Sequence, residues 1–216
     1  MKRTFPVLLG VGVIIAMAAV SARASDAKAE KLADEVIAAS GGANWPKVSE
    51  IIFTFNVAVG SVPKLAAKHD WNVKTGMDKV SWGGKTVTVN VFEPNHTGDE
   101  LEAYKRWVND SYWLLMPLKL KDHGVNLASK ERVTLNGKPH DVIQLSFGKV
   151  GLTTGDRYNL YINPETHRVD AFDYMPNPTT KMNASCANYV ESGGLTLSTE
   201  HVMGDKHIWI SDLMVR

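Results

Sequence analysis

The sequence predicts a mainly β fold of the α+β class, a large curved antiparallel sheet with two helices packed on its concave side. Three observations lead to this prediction. Apolar and polar residues alternate over much of the chain after residue 50, as in half-buried strands. Turn-forming Gly, Asn and Pro separate these runs into roughly ten short strands. Helical spacing occurs in only two places, so a regular βαβ arrangement is excluded.

The first 24 residues have the features of a secretory signal peptide. Two basic residues precede an uncharged run from Phe5 to Val20, and Ala22 and Ala24 occupy the two positions that a signal peptidase reads. The uncharged run has 16 residues, fewer than the roughly 20 of a spanning helix. An uncleaved anchor is the weaker alternative. We therefore predict a periplasmic protein in which residues 25–216 form a single β domain.

The charge balance of the chain excludes one class of partner. The full sequence has 24 basic and 23 acidic residues. The predicted signal peptide contains three of the basic residues and no acidic one, so the mature chain carries a small negative charge. Such a chain has no long-range attraction for nucleic acid or for anionic membranes. The single cysteine, Cys186, excludes an internal disulfide, and we expect it to fill an apolar position in a strand.

The first predicted element of the mature chain is a helix. Ser25 or Asp26 can cap its start, and Gly41-Gly42 can end it because glycine tolerates a positive φ. Its apolar stripe consists of Leu32, Ala33, Val36 and Ile37. The charged residues between these positions would face solvent.

The sheet begins at residue 50, where the period changes to two. One side of the first strand would carry Ile51, Phe53, Phe55, Val57 and Val59. A weaker alternation follows from residue 65 to residue 75 and places Trp71 on the apolar side. Further strands are predicted at 80–82, 87–91, 132–135, 141–147, 158–162, 168–174, 187–190, 195–199 and 207–213.

A second helix, predicted from Asp99 to Leu115, interrupts the strands. It runs into the uncharged segment Tyr112–Leu118, which is too short to cross a membrane and contains Pro117. This segment must therefore be buried in the domain or face something apolar. If the helix covers the concave side of the sheet, Trp107 and Trp113 would face the first strand at Phe53 and Phe55.

Three segments, Asn109–Pro117, Leu160–Asp170 and Val190–Leu195, resemble an uncharacterised group of exported proteins. That group is similar to the LolA-like outer-membrane lipoprotein-sorting superfamily. The resemblance implies a half-open β-barrel whose concave side, covered by helices, holds acyl chains or other amphiphiles. It also implies a lipid, an acyl chain or a lipidated protein as the partner. In one respect the sequence differs, because residues 50–60 lack the basic residue with which LolA latches its lid from an early strand.

No motif for catalysis or cofactor binding is present. The sequence lacks Gly-x-Ser-x-Gly, His-Glu-x-x-His, phosphate-loop and dinucleotide-binding patterns, so we expect no catalytic residue, metal or cofactor. His201, Asp205 and His207 bracket one hairpin, but a metal site needs three or four converging ligands. Adjacent His-Asp pairs at 69–70 and 140–141 lie in strands, where neighbouring side chains point to opposite faces.

The aromatic residues suggest where a ligand would bind. Most of the six tryptophans are expected in the core, but some would line the concave cleft. The candidate ligand-binding residues are Phe53, Phe55, Trp71, Trp107, Tyr112, Trp113, Leu115 and Met116. We interpret the protein as a periplasmic carrier or chaperone for an amphiphile. The alternative is a non-catalytic envelope binding or scaffold module with a self-filled core and a protein partner. An apolar cavity of about 300 Å³ or more would favour the carrier.

We predict that export removes the signal peptide. N-terminal sequencing of the periplasmic protein should find a start at or next to Ser25, because the small residues at Ala22 and Ala24 follow a short apolar run. Recovery of membrane-bound protein that begins at Met1 would contradict this prediction.

Overall fold

The computed structural model describes residues 26–148 and 155–216, so the predicted signal peptide lies outside the described residues. The described residues form two α-helices, α1 (Ala27–Ala39) and α2 (Gly98–Leu115). Short 3₁₀ segments follow them at Gly42–Lys47 and Met116–Leu118. The strands are β1 (Glu50–Val59), β2 (Val62–Asn72), β3 (Met77–Trp82), β4 (Lys85–Asn90), β5 (Val125–Leu135), β6 (Lys138–Phe147), β7 (Arg157–Ile162), β8 (Val169–Asn177), β9 (Thr180–Ser185), β10 (Ala187–Ser192), β11 (Leu195–Met203) and β12 (Lys206–Val215).

The strands form two antiparallel sheets. Seven strands pair in the order β10-β11-β12-β1-β2-β3-β4, and five pair in the order β5-β6-β7-β8-β9. The mainly β antiparallel class with helices is therefore confirmed. The pairing divides the predicted single sheet in two, and β9 was not predicted. Within the described part of the chain β4 and β5 do not pair, so the strands do not close into a barrel.

The two sheets are joined where β9 leads directly into β10. Only Cys186 separates these strands, and its backbone N–H donates to the carbonyl of Asp170 at 2.8 Å. The N–H of Val202 in β11 donates to the hydroxyl of Ser185 at the end of β9, at 2.9 Å. Cys186 is buried as expected, but at this junction and not inside a strand. The chain thus changes from one sheet to the other at Cys186.

Helix α1 covers part of the five-stranded sheet. Asp26 caps it, because one carboxylate oxygen accepts from the Ala29 N–H at 2.7 Å. The other oxygen accepts from the N–H and the hydroxyl of Ser129 in β5. These hydrogen bonds, led by that from the Ser129 backbone, lower the pKa of Asp26. The predicted apolar stripe is buried at Leu32, Ala33 and Val36.

Helix α2 covers the seven-stranded sheet and forms a separate core with it. Ala103 and Leu114 of the helix pack with Phe53, Phe55 and Val80 of the sheet. The core beneath α1 is a second cluster, which contains Ile143, Leu160 and Ile162 of the five-stranded sheet. Each helix therefore buries the inner face of one sheet, as the spacing of its apolar residues requires.

A buried charged contact attaches α2 to the seven-stranded sheet. His69 of β2 places Nδ1 at 2.7 Å from Oδ2 of Asp78 in β3, and Nε2 at 3.1 Å from Oδ2 of Asp110 in α2. All three residues are at most 1% exposed. A neutral imidazole can donate from only one nitrogen, whereas both of these face carboxylates. Burial by itself lowers the pKa of His69, but the hydrogen bonds and charges of the two carboxylates raise it to about 9.

This contact predicts that stability falls in mild alkali. The pKa of His69 in the folded state lies above its ordinary value of 6.5. The contribution of protonated His69 to the free energy of unfolding is therefore fully present below pH 6.5 and is lost as the pH rises through 9. The free energy of unfolding, measured with urea, should decrease by on the order of 3 kcal/mol across this range.

The variant Asp110→Asn tests the cause of this pH dependence. An amide can still accept a hydrogen bond from the imidazole but carries no charge. We expect the variant to be less stable at pH 6.5 and to lose less stability between pH 6.5 and pH 9. A pH dependence equal to that of the natural protein would show that another group is responsible.

Candidate functional site

A cavity of about 780 Å³ lies between α2 and the five-stranded sheet. Eight aromatic side chains line it, Tyr104, Trp107, Tyr112 and Trp113 from α2 and Phe147, Tyr158, Phe172 and Tyr174 from the sheet. Met116, Met182 and Met203 add further apolar surface. Among the lining residues Lys105, Asp122, His123 and Lys206 are exposed, so the cavity reaches solvent on that side.

The cavity continues the inner face of the five-stranded sheet beyond the part covered by α1. On β7, Leu160 and Ile162 belong to the core beneath α1, whereas Tyr158, the next residue on the same face, lines the cavity. Tyr174 on β8 lies directly opposite Tyr158 in the strand pairing. The period of two therefore places the tyrosines on the inner face. Because α1 does not extend over Tyr158 and Tyr174, a ligand can reach these two side chains.

The aromatic rings form a connected wall centred on Tyr158. Its ring centroid lies 5.1 Å from that of Tyr174, 5.6 Å from that of Tyr112, and 5.9 Å from those of Phe147 and Phe172. Tyr112 belongs to α2, so these contacts connect the helix to the five-stranded sheet. Each such pair contributes about 0.5–1.5 kcal/mol beyond the burial of its area.

Trp113 makes a second connection across the cavity. Its ring lies 5.4 Å from that of Phe172 in β8 and 5.2 Å from that of His201 in β11. The Nδ1 of His201 lies 2.9 Å from the Ser185 carbonyl. Burial lowers the pKa of His201, so the ring is neutral at pH 7 and Nδ1 donates this hydrogen bond.

The polar groups of the cavity lie at two depths. Asp156 is only 6% exposed, and the hydroxyl of Tyr174 interacts with its carboxylate. Burial and then this interaction raise the pKa of Tyr174 to about 12. At the rim, Lys119 forms an ion pair with Asp122. The interior thus contains a buried carboxylate and uncharged tyrosines, while the lysines are nearer to solvent.

The eight residues proposed from the sequence divide into two groups. Trp107, Tyr112, Trp113 and Met116 line the cavity, whereas Phe53, Phe55, Trp71 and Leu115 are buried in the core between α2 and the seven-stranded sheet. Helix α2 separates the groups because one of its faces packs on the sheet while another forms the cavity wall. Trp107 bridges them, since its ring meets that of Trp71 edge to face at 5.3 Å.

Trp107 and Trp113 were expected to face Phe53 and Phe55 of the first strand, and both pack against the core that contains these two residues. The ring of Trp113 contacts Phe172 and His201, and that of Phe53 stacks on His69 with centroids 4.6 Å apart. Sequence reasoning missed Asp156, which precedes β7, and the sheet residues of the cavity, Phe147, Tyr158, Phe172 and Tyr174. It also missed the partners of His69. The alternation in β7 and β8 was the available signal, but it does not distinguish a cavity wall from a core.

The remaining candidates for chemistry are dispersed. In residues 26–148 and 155–216 no three His, Cys, Asp or Glu residues converge as metal ligands would. His201 is buried, whereas His207 is partly exposed and lies 3.0 Å from a carboxylate oxygen of Glu200. Burial raises the pKa of the Cys186 thiol, which therefore stays protonated. No helix in the described residues combines the length and the apolar character needed to span a membrane.

Comparisons with known proteins support the fold. A LolA superfamily protein from Nitrosomonas europaea superimposes with a TM-score of 0.57 at 11% identity, covering 85% of this chain and 93% of that chain. A putative outer membrane lipoprotein-sorting protein domain from Vibrio parahaemolyticus gives 0.49 at 10% identity, covering 88% and 92%. The superposition with a TM-score of 0.57 confirms the LolA-like fold expected from the sequence. No curated protein matches the chain.

A family assignment comes from the sequence itself. A family of unknown function, DUF6503, matches residues 14–207, which is most of the chain. The chain therefore belongs to this family of unknown function, and its fold resembles that of a LolA superfamily protein.

Proposed function

We propose that the protein is a periplasmic carrier or chaperone that holds a lipid, an acyl chain, a lipidated protein or another amphiphile in the cavity between α2 and the five-stranded sheet. The observation that carries this proposal is the aromatic cavity of about 780 Å³. It exceeds the roughly 300 Å³ of a small ligand site. The signal-like N-terminus and the LolA-like fold support the location and the class of ligand.

The cavity has the properties that binding of an amphiphile requires. Burial of an apolar chain against its aromatic and methionine side chains would contribute roughly 25 cal/mol for each Å² removed from water. Methionine side chains are flexible and adapt to ligands of irregular shape. Because Lys105 and Lys206 at the rim are exposed, the polar part of a bound molecule could remain near water.

The binding of a ligand would use a surface that the protein leaves only partly packed. Four aromatic residues of the cavity are half-buried, namely Tyr112, Trp113, Tyr158 and Tyr174. Leu114, which packs in the core between α2 and the seven-stranded sheet, is fully buried. Partly exposed aromatic rings can gain contacts when a ligand enters, whereas fully packed rings cannot. This difference favours a carrier over a scaffold module whose core is filled by its own side chains.

We predict that Trp113→Ala weakens binding without unfolding the protein. The probe is N-phenyl-1-naphthylamine, an uncharged molecule that fluoresces in apolar surroundings. Its affinity should decrease by about 1 to 3 kcal/mol, the contribution of a large apolar side chain. Fluorescence titration would give the affinity, and a melting curve would report on the fold.

Trp209→Ala is the matched control. Trp209 is also half-buried, but it stacks on His207 and does not line the cavity. This variant should bind the probe as the natural protein does. If the natural protein fails to bind the probe, or if Trp113→Ala lowers only the melting temperature, the carrier proposal is wrong and the scaffold alternative is favoured.

A further inference from the structure

We infer that the cavity selects amphiphiles that carry a cationic group, a protonated amine or a quaternary ammonium, and that this group binds at Asp156 among Tyr112, Tyr158 and Tyr174. The inference rests on the proposed function, to which it adds the chemical class of the ligand. Its basis is the combination of one buried carboxylate with an aromatic wall in the same cavity.

Within residues 26–148 and 155–216, the buried carboxyl group of Asp156 has no cationic partner. Asp156 is 6% exposed. Among the described residues, no Lys, Arg or His lies within ion-pair distance of the Asp156 carboxylate. The other buried carboxylates among the described residues have such partners, since Asp78 and Asp110 share His69 and Asp173 pairs with Lys181. Burial of an unpaired charge is costly. A cationic ligand would remove this cost.

Three tyrosines surround the position that such a cation would occupy. The rings of Tyr112 and Tyr174 lie 5.6 Å and 5.1 Å from that of Tyr158. The pKa of each of the three hydroxyls is raised, mainly by burial, and the negative charge of Asp156 contributes in every case. The hydroxyls therefore remain protonated, and Asp156 lies near all of them. Aromatic faces attract cations, and such groups of rings recognise quaternary ammonium ligands.

The lysines at the rim could attract anionic ligands, but more weakly than Asp156 would attract cationic ones. Lys119 is already paired with Asp122, and Lys105 and Lys206 are exposed to solvent. Exposed charges are screened by salt over about 8 Å at physiological ionic strength. Charges removed from water interact several times more strongly than charges at the surface. The buried carboxylate should therefore determine which head group is preferred.

The test compares three probes that share a twelve-carbon chain and differ in head group. Dodecyltrimethylammonium is cationic, dodecyl sulfate is anionic and dodecyl maltoside is uncharged. Each is used below its micelle concentration to displace N-phenyl-1-naphthylamine from the natural protein. We expect the cationic probe to bind at least about tenfold more tightly than the anionic one.

The variant Asp156→Asn should remove this preference while binding of dodecyl maltoside stays unchanged, which shows that the cavity remains intact. Asp212→Asn is the matched control. It makes the same change at an exposed site that does not line the cavity, with φ of 55° that asparagine tolerates. This variant should keep the preference.

The outcomes separate the inference from the proposed function. Binding of all three probes with equal affinity, a preference for dodecyl sulfate, or a cationic preference that survives in Asp156→Asn would overturn the inference alone. Failure of every probe to bind would overturn the proposed function as well. Unfolding of Asp156→Asn would leave the ranking of the three probes on the natural protein as the deciding result.

Discussion

The contact of His69 with Asp78 and Asp110 fixes the position of α2, and the cavity depends on that position. Apolar packing alone would hold the helix on the seven-stranded sheet without defining its register, because burial is not directional. Hydrogen bonds are directional. A helix attached at Asp110 presents Ala103 and Leu114 to the sheet. The same placement leaves Tyr112 and Trp113 to form one wall of the cavity.

The opposite wall depends on the division of the strands into two sheets. The chain bends at Cys186, so the five-stranded sheet lies across from α2 and does not continue the surface beneath it. Helix α1 then covers only part of this second sheet. The part of the sheet that α1 covers forms a core of mainly aliphatic residues, including Leu160 and Ile162. The part of the sheet that α1 leaves uncovered carries the aromatic residues of the cavity. The cavity is thus the space between α2 and the aromatic part of this sheet.

The residues that would contact a ligand lie at the margins of the two cores. Most of the aromatic side chains that line the cavity are partly exposed and pack against these cores, while Met116 and Phe172 belong to the core beneath α1. A fold shared with a LolA superfamily protein does not specify a ligand, because ligand choice depends on the residues of the site. In this chain those residues are an aromatic wall and Asp156.

Local patterns in the sequence determined the elements of this protein. The cap at Asp26, the alternation in β1 and the spacing of apolar residues in α2 each depend on neighbouring residues, so a single sequence was enough to predict them. The same patterns predicted eight cleft residues, of which Trp107, Tyr112, Trp113 and Met116 line the cavity. These four lie on or next to the one helix that interrupts the strands.

Only the tertiary structure decided what covers each apolar face. Phe53 and Tyr158 both lie on inner faces of strands, yet α2 buries the first while the second lines a cavity. His69 and Asp110 are 41 residues apart in sequence. No local period reports such a contact, because periodicity shows which way a side chain points but not what it meets.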